Sequence, residues 1–412
     1  MAPTNATALR QDLPSLLLLP PPPHPPTRAA LQAAFEPSLR TAISKLKDEK
    51  LNEHGSILIV GLAWPILTGS SPRQKSLSWP EAQSVIAGLY SIVSVICARF
   101  SMPTEIHAGP GSVDVRIILV HHDPSELSVV EPRPAIETGN TVIVDLVTFA
   151  SAYHPWRYIF HTSNELGYQL LSTYLRIFEH IHTIKQDQLV VVDGGLSMNL
   201  ETRPPSSSSL QTATYPIVCL GGTFDHLHPG HKLLLTAAVL LLRVPDEPSS
   251  DPCRFIIGIT GDELLKRKKY ADLVQSWDER AMNIIEFLTS ILQLSRKGWS
   301  EGRAPKLVKK EDEISALFRN DTILIQCVVI QDAFGPTITT EKMDVLVVSG
   351  ETRSGGDAVN NRRKELGWHP LKIFEVDVLD AEDIIDSSTQ TQSFATKISS
   401  TAIRQKKAEA RI

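Results

Sequence analysis

Two histidines, His228 and His231, follow a glycine pair, Gly221-Gly222, at the point where an apolar run gives way to an apolar helix. The run is Ile217 to Leu220, and the helix is read from Leu233 to Leu242. A strand, a glycine turn and a helix start in succession aim unpaired backbone N–H groups and the positive end of the helix dipole at one point. An anionic phosphate suits that point. Histidines three apart share one side of a first helical turn. Pro229 fits the first turn without losing a hydrogen bond, and Gly230 admits a ligand close to the backbone. A glycine pair after a strand is usually only a turn. The combined string, Gly-Gly-Thr-Phe-Asp followed by His-x-Gly-His at a helix start, is far more specific and reads as a grip for nucleotide phosphates in an enzyme.

Three other loops would meet the same ligand. The strand expected at Arg254–Ile259 ends in Thr260-Gly261-Asp262, and Lys266-Arg267-Lys268-Lys269 follows. A charge run is by default a solvated face. At the carboxyl edge of a strand, four cations also suit a polyphosphate or a phosphorylated substrate. The strand Val345–Ser349 runs into Gly350-Glu351-Thr352-Arg353-Ser354-Gly355-Gly356, whose glycines expose main-chain N–H groups and whose Glu351 can accept from a ribose or base. In Lys397-Ile-Ser-Ser-Thr-Ala-Ile-Arg404, Ser399 or Ser400 can cap a helix facing an anion, with Arg404 one turn on.

These loops need a scaffold. From about 215 to 412, the strands Ile217–Leu220, Arg254–Ile259, Ile323–Ile330, Val345–Ser349 and Lys372–Val376 alternate with helical patterns at 231–243, 278–295, 357–366 and 400–410. Such alternation argues for a parallel sheet covered on both faces, with ligands at the carboxyl ends of its strands. A charged stretch at about 296–320 reads as a surface insertion. Residues 30–200 read as a separate α/β domain with strands Ile57–Val60, Val115–Val120, Val142–Val147 and Leu189–Val192, and helices at 81–99 and 162–184. No catalytic signature stands out there. His121-His122-Asp123 and the pair His180 and His182 read as solvated polar caps. Residues 1–29, with proline at eight of the first 26 positions, read as a disordered tail, and 201–214 as a Ser/Pro linker.

At 412 residues the chain has room for two domains, each with its own core. A net charge of −5 argues against a general nucleic-acid binder. The four cysteines lack metal-ligand spacing and a disulfide framework, so buried thiols are expected. Ala82 to Phe100 approaches membrane-span length but carries Gln83, three serines and Arg99, which reads as a buried amphipathic helix. A soluble protein of the cytosol or nucleus is expected, with no membrane partner.

Taken together, the second half resembles the His-x-Gly-His nucleotidyltransferase superfamily, and within it the eukaryotic and archaeal type of phosphopantetheine adenylyltransferase. The matching strings are Gly221 to Lys232, Leu264 to Lys269, Val347 to Thr352, Asn360 to Arg363 and Ile398 to Arg404, in the family's order over about half the chain. The resemblance implies a Rossmann-like domain that transfers AMP from ATP to 4′-phosphopantetheine, giving dephospho-coenzyme A and pyrophosphate. Mg²⁺ would accompany ATP, with no metal ligand from the protein. His231 would stabilise the transition state, with His228 on the same phosphates. Thr223 and Phe224, beside Gly222, would lie between ATP and the acceptor phosphate. Lys266, Lys268 and Lys269 would hold the acceptor phosphate or pyrophosphate. Gly350, Glu351 and Thr352, with Ser399, Ser400, Thr401 and Arg404, would frame the adenosine and the β,γ-phosphates. Animal relatives often continue into a kinase domain with a Gly-x-x-x-x-Gly-Lys-Ser/Thr loop; none is found here, and a single activity, confined to the second domain, is expected. Arg353 and Gly356-Asp357 depart from the family's pattern and leave the acceptor contacts open there.

Two other readings compete. One is a cytidylyltransferase acting on a phospho-alcohol, which tends to carry Gly-x-Phe-Asp and Arg-Thr-x-Gly-Ile-Ser-Thr instead. The other is a scaffold for coenzyme A pathway enzymes, using the proline tail and the first domain as binding elements.

Overall fold

The computed structural model describes residues 13–48, 55–69, 75–124, 140–152, 156–179, 183–196, 211–245, 251–294, 305–377 and 399–411. The first domain is one parallel sheet of β1 (Ser15–Leu19), β2 (Ser56–Trp64), β3 (Val113–His121), β4 (Val144–Asp145), β5 (Ile159–Thr162) and β6 (Leu189–Val192), in the order β4-β3-β2-β1-β5-β6. Its helices are α1 (Arg28–Asp48), α2 (Trp79–Arg99), α3 (Leu146–Ala152) and α4 (Glu165–Phe178). Three calls shift in detail, and a fourth falls outside the described residues. The strand expected at 142–147 is cut short because the Asp145 carboxylate accepts the Thr148 N–H at 2.7 Å and starts α3. The helix expected at 162–184 starts later, where Asn164 accepts from the Gly167 N–H. His121 is buried and accepts the Leu67 N–H, so it is not a solvated cap. His180 and His182 lie outside the described residues.

The expectation of a disordered tail over residues 1–29 is corrected by β1. Ser15 to Leu19 is buried throughout and pairs with β2 on one side and β5 on the other. Leu17 and Leu19 face one core and Leu16 and Leu18 the other, the two-residue alternation of a strand covered on both faces. The proline tract begins only after this strand has ended. A run of four leucines, too short for a helix, is long enough for the centre of a sheet.

The second domain holds β7 (Ile217–Gly222), β8 (Cys253–Thr260), β9 (Lys306–Lys310), β10 (Glu313–Phe318), β11 (Ile323–Ile330), β12 (Val345–Ser349) and β13 (Lys372–Val376), in the order β13-β12-β7-β8-β11-β10-β9. The five strands from β13 to β11 are parallel. The expected surface insertion is instead, over its described part, a hairpin: β9 and β10 extend the sheet antiparallel, with lysines on the exposed edge strand. The helices are α5 (Pro229–Val239), α6 (Asp262–Leu265), α7 (Trp277–Leu292), α8 (Arg353–Glu365) and α9 (Ser400–Glu409). The chain leaves β7 toward β8 on one side and later returns to place β12 on the other, so a crevice opens between β7 and β12 at their carboxyl ends.

Besides a smaller apolar cluster apiece, the two halves share a core. One apolar cluster runs from Leu17 and Leu58 of the first sheet through α1, α2, α5 and α7 to Val345 and Val376 of the second. Helix α2 sits in the middle of it. That helix is long and apolar enough to cross a membrane by length and composition, yet most of its surface is covered by protein on several sides. Its Trp79 indole donates to the Ala237 carbonyl of α5 at 2.8 Å. The Leu77 and Thr212 backbones bridge just before it, and Arg319 reaches the Thr141 and Val142 carbonyls. The four cysteines are buried and unpaired.

Because β1 is central, Leu17→Ala should lower stability by about 3 kcal/mol, the usual cost of a cavity at a buried leucine. Removing residues 1–19 should unfold the first sheet rather than trim a tail. Urea denaturation followed by tryptophan fluorescence checks both, and a truncated chain with the parental midpoint would refute the placement of β1.

Candidate active site

The carboxyl end of β7 carries the turn Gly222-Thr223-Phe224-Asp225-His226-Leu227, which delivers the chain to α5. A side chain at Gly222 would put its Cβ 2.9 Å from the Phe224 ring, so only glycine fits. Phe224 and His226 hold positive φ angles of 53° and 48°, a conformation costly for such residues unless the surroundings impose it. They do impose it. Phe224 is fully buried, and the His226 backbone N–H donates to Gln275 Oε1 at 2.8 Å while its ring bonds the Leu273 carbonyl and Lys407.

His228 is the N-cap of α5 and Pro229 its first residue, so the helix starts two residues before the expected 231. The His228 and His231 rings stack, with centroids 3.9 Å apart and planes 24° from parallel. Gly230 lets them stack undisturbed, since a Cβ there would lie 3.2 Å from the His228 ring and push it aside by a few tenths of an ångström. Neither Nδ1 has a hydrogen-bond partner among the described residues. Burial pushes His231 down to about 4, against a partial opposing pull from Asp225, with Lys268 adding to the depression. Burial likewise holds His228 well below the ordinary histidine range, helped by His231 and Lys232. Both imidazoles are therefore neutral at pH 7, each able to donate one N–H to an anion at the start of a helix.

The other calls separate. Thr223 is at the site: its Oγ1 accepts from Lys268 Nζ at 3.2 Å, and its carbonyl accepts from Arg280 at 2.7 Å. Of the cationic cluster, Lys268 alone is seen bonded to this turn, its pKa lowered by partial burial and by Arg404. Lys266 pairs outward with Glu263, and the Lys269 ammonium lies over the Tyr270 ring. Phe224 keeps its side chain out of solvent. Its ring sits in the core behind His231, 5.3 Å between centroids. Ser399 caps α9 by accepting the Ala402 N–H, and Ser400 donates to the Asp225 carbonyl, which seats that helix start on the turn. Arg404 is buried against the Asp225 carboxylate, with further bonds to Thr401 Oγ1 and the Lys269 carbonyl, so its charge is already spent on the protein. Gly350, Glu351 and Thr352 form one 3-10 turn after β12, across the crevice from β7, with Thr352 Oγ1 bonded back to Ser349. Helix α8 starts at Arg353, four residues before the expected point, because Gly355 and Gly356 are helical. Gly356 lets α8 pack on β13, where a Cβ would come within 3.1 Å of Ile373. Asn360 and Arg363, part of the matching strings, tie the Leu371 backbone and four carbonyls.

Two functional residues escaped the sequence reading. Asp225, quoted in the glycine-turn string but given no role, is fully buried and organises the turn through the Gln275 N–H and Arg404. Arg280 is fully buried and braces the ends of β7 and β8 together through the Thr223, Thr260 and Gln275 carbonyls and Asp262. Its only signal was position, one residue beyond the Ser276–Glu279 capping box that opens α7.

Residues 219–406 match a family model described as Cytidylyltransferase-like, so the second domain is of the nucleotidyltransferase class. Residues 1–198 match a domain of unknown function. Over 165 residues the chain is 30% identical to a phosphopantetheine adenylyltransferase of Pyrococcus furiosus, covering 40% of this chain and 79% of that one. It is 32% identical over 190 residues to a protein of the same name from Saccharomyces cerevisiae, covering 46% of this chain and 48% of that one, about half its length. An uncharacterized protein of Schizosaccharomyces pombe is 28% identical over 288 residues, covering 70% of this chain and 75% of its own. The chain belongs to the phosphopantetheine adenylyltransferase family.

Two outcomes follow from this geometry. The unfolded chain binds protons on His228 and His231 near pH 6.5, while the folded protein excludes them down to about pH 4 at His231. Their contribution is present above pH 6.5 and lost as pH falls through that window, by at most about 1.4 kcal/mol per pH unit per histidine. A His228→Asn, His231→Asn double variant should therefore lose less stability than the parent between pH 7 and 4.5 in urea titrations. Arg404→Met leaves the Asp225 carboxylate buried and unpaired and should cost about 3–5 kcal/mol. A variant with parental stability and weaker ATP binding alone would return Arg404 to the phosphates.

Proposed function

We propose that this site transfers the adenylyl group of ATP to the phosphate of 4′-phosphopantetheine, releasing pyrophosphate and forming dephospho-coenzyme A. The observation that carries the reading is the neutral, stacked His228–His231 pair at the start of α5, with both Nδ1 atoms unpartnered beside the Lys268–Thr223 contact. The names of the relatives from Pyrococcus furiosus and Saccharomyces cerevisiae support the choice of acceptor.

An acceptor phosphate oxygen attacks the α-phosphorus. The bond from that phosphorus to the acceptor oxygen forms as the bond to the bridging oxygen breaks, and its electron pair leaves with pyrophosphate. The phosphate nucleophile is already anionic at neutral pH, so the task is to position two anions and stabilise the charge that gathers on the leaving group. His228 and His231 donate N–H groups where the helix start adds its partial positive charge. The same burial that keeps the rings neutral strengthens those hydrogen bonds. Lys268, held on Thr223, carries the full positive charge at this edge and suits the acceptor phosphate or the pyrophosphate. The turn Gly350–Thr352, facing β7 from the end of β12, borders the crevice where the nucleoside would lie. Among the described residues no group of three or more His, Cys, Asp or Glu side chains could hold a metal ion. Mg²⁺ belongs to this reading as a companion of the ATP phosphates, and no step rests on a protein cage for it.

Purified full-length protein with ATP and Mg²⁺ should release pyrophosphate only when 4′-phosphopantetheine is added. His231→Ala should lower the rate by about 10²- to 10³-fold, and Lys268→Ala should raise the KM for the acceptor more than that for ATP. Turnover of CTP with a phospho-alcohol instead would overturn the adenylyl reading, and silence with every acceptor would favour a scaffold.

A further inference from the structure

The residue after His231 points away from the site. Lys232 is fully buried, and its ammonium meets three acceptors: Asp114 Oδ1 at 2.5 Å, the Thr104 carbonyl at 2.9 Å and the Val115 carbonyl at 3.4 Å. All three belong to the first domain, and they match the three N–H donors of a lysine. Asp114 is ionised. Burial alone would raise it, but Arg116 and Lys232 more than offset that and hold it at about 2. Its second oxygen accepts Arg116 Nε at 2.8 Å and Nη2 at 2.6 Å. Arg116 crosses back to the second domain, reaching Glu286 of α7 at 3.2 Å, and Glu286 also takes His107 at 2.9 Å. The circuit thus runs from α5 to β3 and back to α7.

Two backbone contacts link this circuit to the histidines. The Lys232 N–H donates to the His228 carbonyl at 3.0 Å, the first hydrogen bond of α5. The Ile106 N–H of the first domain donates to the Leu227 carbonyl at 3.3 Å, one residue before His228. The histidine pair is therefore bounded on both sides by groups bonded to the first domain. A buried ion pair is a poor source of stability, since an apolar pair of the same volume would serve as well or better. What it does supply is a fixed direction, and here it fixes the first turn of the helix that presents the histidines.

We propose that the first domain is a working part of the transfer site: Asp114, acting through Lys232, is a positioning residue that sets the first turn of α5 and with it the His228–His231 pair. The proposal rests on the adenylyl-transfer reading for its kinetic consequence, but its geometric consequence stands apart from any substrate. It also replaces the expectation that catalysis is confined to the second domain.

The test uses the full chain. Asp114→Asn should lower kcat for pyrophosphate release by about 10²-fold, the effect of a misplacement on the order of 1 Å, while the KM for ATP changes little. The imidazole resonances of His228 and His231 should shift in long-range ¹H–¹⁵N spectra of the ligand-free protein, and Asp114→Glu should recover part of both signals. If Asp114→Asn does not fold, the paired variant Asp114→Leu, Lys232→Met removes both charges together; it should fold yet keep the low kcat and displaced resonances. Parental kcat and parental imidazole resonances in a folded variant, with only the melting temperature lowered, would overturn the proposal. Should the parent protein itself release no pyrophosphate, the adenylyl-transfer reading fails, and the imidazole spectra still decide the positioning role.

Discussion

A charge buried without a partner is untenable, and two such charges flank the histidines. Asp225 stands three residues before His228, and Lys232 one residue after His231; both are fully buried. Each is neutralised by a group remote in the chain, Arg404 in the last helix and Asp114 in the first domain. The partner has to arrive for the buried ion to be tolerated. Closure of the turn after β7 therefore depends on docking of α9, and seating of α5 depends on the first domain. Arg280 adds a third constraint by joining the ends of β7 and β8 through backbone carbonyls. A short motif of glycines and histidines becomes a defined geometry because ions from both ends of the molecule converge on it.

That convergence also sets the electrostatic state of the site. The packing that fixes the rings strips water from them, and loss of water keeps both neutral. A neutral imidazole gives up no charge–charge attraction in the resting protein and still donates an N–H to a phosphate oxygen. The full cations divide accordingly. Lys268 remains partly exposed at the rim, while Arg280, Lys232 and Arg404 are consumed inside. A partly exposed cation at the edge and fixed neutral donors at the centre is an arrangement that can admit two anions without collapsing around either.

The sequence made the site's location legible and its wiring obscure. Gly222, His228, Gly230 and His231 were readable because strand, turn and helix start are local features, and the glycines are needed for contacts within a few residues. Ser399 was readable for the same reason. Arg404, Phe224, Lys266 and Lys269 went elsewhere because a local pattern gives a residue's position on an element but not the tertiary partner that claims its side chain. Asp225 found Arg404, and Glu263 found Lys266. The error at β1 had another origin. Leu16 to Leu19 abuts a proline tract, and composition averaged over 29 residues hid a five-residue strand that only non-local pairing stabilises. Glycines in α8 misled similarly, since Gly356 serves a close helix–strand approach rather than a loop.

The two sheets share a design but divide the work. Each is an open sheet whose central strands are parallel, with a switch point between β1 and β5 in the first and between β7 and β12 in the second. At such a point an anion needs free backbone N–H groups from the turn after the central strand. After β7 that turn is Gly222 to Leu227, with glycine at its start and a helix beginning directly behind it. After β1 it is Pro20 to Pro23, then Pro25 and Pro26, residues that carry no N–H at all. The first sheet therefore lacks a phosphate grip of the second sheet's kind, whatever its topology suggests. What it offers instead is a carboxylate on β3, directed across the shared core to Lys232 of α5. The two sheets thus converge on the turn after β7, one through its turn chemistry and the other through a buried charge.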